Sequence, residues 1–117
     1  MTEELNNELN FDQKWHFLEL QLTERFEKKP NMEAILFLIG INEYRGNMPS
    51  MKFSKEQKQD LMHIAVCSLL SKGGYYELEG YDNDGWPHFK ELDKVNAPNL
   101  EEQEHLLKHY ILDYFEV

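Results

Sequence analysis

The chain reads as a mainly α single domain of four principal helices, with a short β-hairpin or irregular aromatic loop before the last helix. Apolar residues recur at spacings of three and four along most of the 117 positions, the period of amphipathic helices. Three segments open with the pattern of a helix capping box or close to it. One stretch, Gly73–Glu91, breaks the pattern with four glycines, three tyrosines, a Trp-Pro pair and an Asp-rich turn.

Residues 1–9 read as a frayed or weakly helical lead-in, with the domain proper over 10–117. Asn10 and Gln13 have the spacing of a capping box. The helix behind them carries Phe11, Trp15, Leu18, Leu22 and Phe26 on one face. It is predicted to end near Lys28–Lys29, because lysines suit a helix C-terminus and Pro30 cannot continue the ladder. Phe17 and Leu20 lie off that face and, with Leu5 and Leu9, mark an apolar patch. A homodimer through this first helix is the expectation, two-fold dimers being the commonest soluble oligomers.

Asn31 is placed to cap a second helix, which Gly46 is predicted to close. Ile35–Ile39 is apolar on every side, so this helix belongs in the core. A strand over the same run is the alternative, but the flanking Met32, Glu33 and Ala34 are poor strand formers. Gly40 costs a helix about 1 kcal/mol against Ala, and its presence predicts close approach of a neighbouring helix. Ser54 and Gln57 open the third helix, with Leu61, Met62, Ala65, Val66, Leu69 and Leu70 as its apolar side and Gly73 as its left-handed stop. Tyr76 and Leu78 alternate with Glu77 and Glu79, and the turn residues Asp82–Gly85 follow, which predicts a hairpin within 75–92. Pro87 confines its second arm to an edge. Asn99 opens the last helix, with Leu106, Leu107, Tyr110, Ile111, Tyr114 and Phe115 on one side. The predicted helices therefore span 10–28, 31–45, 54–72 and 99–116.

Twelve basic against twenty-two acidic residues give a net charge of −10. That field repels phosphate backbones and anionic lipid, so nucleic acid and membrane are not expected partners, whereas a protein or basic peptide is. Cys67 stands alone, which excludes an internal disulfide and points to a reducing compartment. A cytoplasmic protein is expected, since the N-terminus lacks a basic-then-apolar leader.

Several constellations have the spacing of chemistry. Asp82, Asp84, Gly85 and Glu91 fall at ligand and turn positions of a twelve-residue calcium loop over 80–91. Against this, Gly80 stands where the first acidic ligand belongs and Pro87 lacks a needed N–H. Asp60, His63 and Cys67 share a narrow arc of the third helix, the order of an acid, a base and a thiol nucleophile, or the start of a metal site. Such a triad on one helix is unusual, and a buried inert Cys beside a boundary His is the plainer reading. Glu102, His105, His109 and Asp113 form a stripe on the last helix, where an i, i+4 His pair is able to hold a transition metal, but the pattern leaves the stripe unshielded on the outer side. Phosphate-binding glycine loops, a nucleophile elbow and paired C-x-x-C are absent from the sequence, and no cofactor is implied. The reading that remains is a non-catalytic interaction or regulatory domain, with Tyr75, Tyr76, Tyr81 and Trp86 as partner-binding residues beside an acidic surface.

Overall fold

The computed structural model describes residues 10–46, 52–97 and 99–117. In chain order these form α1 (Phe11–Phe26), α2 (Met32–Glu43), α3 (Lys55–Ser71), β1 (Tyr76–Tyr81), β2 (Pro87–Glu91) and α4 (Leu100–Tyr114). The mainly α architecture with a hairpin before the last helix is as predicted. The lead-in, Leu5, Leu9 and Pro49 lie outside the described residues.

The helix starts follow their caps. Asn10 accepts from the Gln13 amide at 2.8 Å and its own amide donates to Gln13 Oε1 at 3.0 Å, which satisfies two orphan donors at once. Ser54 and Gln57 repeat the exchange for α3. Asn31 and Asn99 cap α2 and α4 without the reciprocal bond.

The helix ends depart from the sequence reading by a few residues. α1 stops at Phe26 because Glu27 turns left-handed at φ 64°, before the lysines. α2 ends at Glu43 as Tyr44 becomes extended, so Gly46 does not close it. α3 closes on Gly74 (φ 83°) rather than Gly73: the Gly74 amide donates to Ser71 and the Tyr75 amide to Leu70, the paired bonds of a Schellman closure.

Burial is unequal among the helices. Five residues of α2, Ile35, Leu36, Leu38, Ile39 and Gly40, are buried, and six of α3, against two each on α1 and α4. The two central helices are thus wrapped by amphipathic outer ones, as their all-round apolar sequences predict. A Cβ on Gly40 would stand 2.6 Å from the Leu61 carbonyl carbon and 2.9 Å from Leu61 Cβ, so hydrogen at this position lets α2 and α3 cross backbone to backbone. Ile64 and Cys67, outside the predicted apolar face of α3, are buried because the hairpin covers that side.

One polar bond ties the ends of α2 and α4. The Tyr114 hydroxyl donates to Glu43 Oε1 at 3.0 Å. Burial, and then the negative charge of Glu43, pushes the Tyr114 phenol up to about 12 from its usual 10.0. The folded state therefore favours the neutral phenol. Its contribution to stability is complete below pH 10 and disappears as pH rises from there through about 12. An ultraviolet titration is expected to find a tyrosine ionising near 12 in the folded chain, a transition absent from Tyr114→Phe.

Candidate functional site

The hairpin that interrupts the helical pattern is fixed to the helices at both ends. At its turn, Gly85 (φ 87°) sits against the Arg45–Gly46 backbone, where a Cβ would meet the Arg45 carbonyl carbon at 2.5 Å. The Arg45 amide donates to the Gly85 carbonyl at 2.9 Å. Trp86 packs on Tyr44 with ring centroids 4.7 Å apart, Tyr44 packs edge-on to Phe53 at 5.9 Å, and the Arg45 guanidinium lies 4.2 Å over the Tyr81 ring. These contacts dock the turn on the segment leaving α2 and on the approach to α3.

At its base, Tyr75 is held by its own backbone. Its amide closes α3, and its carbonyl accepts from the amides of Leu92 and Asp93 at 2.9 and 3.3 Å. Tyr76 lies beside His63, Ile64 and Cys67 of α3 in a small pocket that Pro87 and Phe89 complete. The four aromatics proposed from sequence are therefore divided. Tyr81 and Trp86 meet Arg45 and Tyr44, just past the end of α2, at the turn, whereas Tyr75 and Tyr76 stand at the base, about 17 Å away along a strand of this length.

Beside the base runs a groove of about 580 Å³. Tyr75 forms one wall, the linker residues Asn96 and Ala97 another, and α4 the third through Glu101, Glu102, His105, Leu106 and His109. Leu106 gives its lining an apolar side chain, and among the described residues its only carboxylates are Glu101 and Glu102, with no Lys or Arg. Both belong to the first turn of α4, where acids are favoured by the helix dipole. Asn96, Ala97 and Leu106 carry no sequence signal of a site, because the groove exists only once the linker folds back along α4.

The calcium positions do not converge. Asp82 Oδ1 accepts from the amides of Asp84 and Trp86 at 2.9 and 3.0 Å, and Oδ2 lies 2.9 Å from His88 Nε2. The bond to His88, and then the backbone amides, hold the Asp82 carboxyl below its ordinary 3.8. That carboxylate shapes the turn, while Glu91 pairs with Tyr76 at the other end of the hairpin. Among the described residues no three His, Cys, Asp or Glu side chains gather in a way able to hold an ion.

On α3, Cys67 Sγ lies 3.7 Å from His63 Nε2, so these two do meet. Asp60 makes no hydrogen bond or ion pair with either among the described residues. Burial, and then Glu91, raises the Cys67 thiol, the opposite of what an activated nucleophile needs. Phe17 and Leu20 are 53% and 55% exposed on the outer face of α1, off the core as their spacing predicts.

The stripe on α4 is exposed at Glu102, His105, His109 and Asp113, on the outer side as its spacing predicts. The ring centroid of Phe11 lies 4.5 Å from those of both His105 and His109, so the start of α1 touches the pair on one side. No family model matches the chain, and no curated protein or solved structure matches it. No helix among the described residues is long and apolar enough to cross a membrane.

Proposed function

We propose that the chain is a non-catalytic interaction domain whose groove between Tyr75 and α4 takes a basic segment of a protein partner. The observation that carries this reading is the composition of the groove: an aromatic wall at Tyr75, apolar Leu106 and two carboxylates with no Lys or Arg lining it among the described residues. Lysine or arginine stems suit such a surface, since the methylenes lie on apolar wall while the charged head meets a carboxylate. Tyr75 supplies contact area at little conformational cost, because its backbone is already pinned on both sides. The net charge of −10 adds long-range attraction for the same partners.

Selection of a randomised peptide library on the purified chain tests this. Bound sequences are expected to be enriched in Lys and Arg and to weaken with added salt. Removing both charges with Glu101→Gln and Glu102→Gln is expected to weaken a selected peptide about tenfold, the effect of two partly exposed ion pairs. Selection without basic enrichment, or affinity indifferent to both substitutions, contradicts the proposal.

A further inference from the structure

We infer that His105 and His109 form a binding site for a single divalent ion of the later first-row transition metals, Zn²⁺ to Cu²⁺. The two residues are one helical turn apart on α4, and their Nε2 atoms approach to 3.1 Å. Imidazole nitrogens bind zinc at about 2.0–2.1 Å, so two nitrogens at this separation would subtend about 100° at a shared ion. That angle lies between the square or octahedral value and the tetrahedral one, and reaching it requires the rings to turn so that both Nε2 lone pairs aim at the ion.

In the metal-free pair one Nε2–H donates to the other Nε2. On binding, the bridging hydrogen shifts to Nδ1 of the same ring through water, and both Nε2 lone pairs go to the ion. Two neutral imidazoles become two ligands with no net change in protonation. Water fills the remaining positions, because no third His, Cys, Asp or Glu joins the pair among the described residues.

The pair is exposed, and two features distinguish it from i, i+4 histidines on a bare helix face. Phe11 packs against both rings at 4.5 Å, which limits their rotamers before an ion arrives. Pre-ordering of this kind reduces the entropy lost on chelation. Glu102 lines the same groove one turn earlier on α4 and provides counter-charge outside the coordination sphere. Nitrogen donors with open water positions suit copper, nickel and zinc and give no preference to calcium or magnesium. The site does not depend on the groove binding a peptide.

The test is a zinc chloride titration followed by calorimetry, with the full chain free of any His tag. One ion per chain is expected, with affinity about a hundredfold lower in either His105→Ala or His109→Ala, because a single arm loses the effective concentration of the chelate. A second measurement needs no variant: substoichiometric copper(II) sulfate added to the ¹⁵N-labelled chain is expected to broaden amide signals around His105, His109 and Phe11 first. Zinc affinity unchanged by both substitutions overturns the inference, as does copper broadening centred on His63 and Cys67 or on Asp82 and His88.

Discussion

Replacing Gly40 by alanine is expected to destabilise the fold by about 2 kcal/mol and lower the melting temperature by about 8 °C, although alanine is the better helix former. Propensity alone predicts the reverse, a gain of about 1 kcal/mol. The crossing of α2 and α3 decides the sign. A methyl group at position 40 overlaps the carbonyl of Leu61, which is backbone and cannot rotate aside. To accept it the two central helices must separate, which loosens Ile39 and Leu61, both without exposed surface. Thermal melting followed at 222 nm measures the effect. A variant as stable as the parent, or more so, shows that the helices do not cross there.

Trp86→Ala is expected to release the hairpin while leaving the helices folded. Trp86 joins the turn to Tyr44 and is half-buried, so its truncation is expected to cost about 2–3 kcal/mol, below the range for a fully buried Trp. A two-stranded hairpin is marginal on its own in water, so β1 and β2 depend on docking, and Trp86 supplies it at the turn while Tyr76 supplies it at the base. Hydrogen exchange is expected to show lost protection at the Asp82 amide, which donates to the Trp86 carbonyl, and across the paired strands. Amides of α2 and α3 are expected to stay protected. Undiminished protection in the strands means that something other than Trp86 anchors the hairpin.

The helices were legible because their signals are local. Asn10 with Gln13 and Ser54 with Gln57 specify starts through hydrogen bonds that span only three residues. Gly40 was legible for a related reason: a glycine inside an apolar helix has a cost that only close packing offsets. The ends were less so, because Glu27 is a non-glycine residue in a left-handed conformation that no residue type announces. The burial of Ile64 and Cys67 was hidden as well, since it depends on how the hairpin that follows α3 folds back over it.

The candidate site shows the same division. Sequence picked out the aromatic segment and the histidine stripe, but it had no means of sorting Tyr75 from Trp86. Trp86 is engaged by Tyr44 and Tyr81 by Arg45, whereas Tyr75 faces the groove. Nor does any spacing within α4 reveal that Phe11 packs beside His105 and His109. Such pairings are set by how α1 packs on α4, which periodicity leaves open.

The most direct measurement of the proposed function is a chemical-shift map of the ¹⁵N-labelled chain titrated with a selected basic peptide. Shifts are predicted to concentrate at Tyr75, Asn96, Glu102, His105 and Leu106, the two sides of the groove. The amides of Phe17, Leu20 and Trp86 are predicted to stay in place. Shifts confined to the outer face of α1 or to the hairpin turn, with the groove unmoved, would contradict the account.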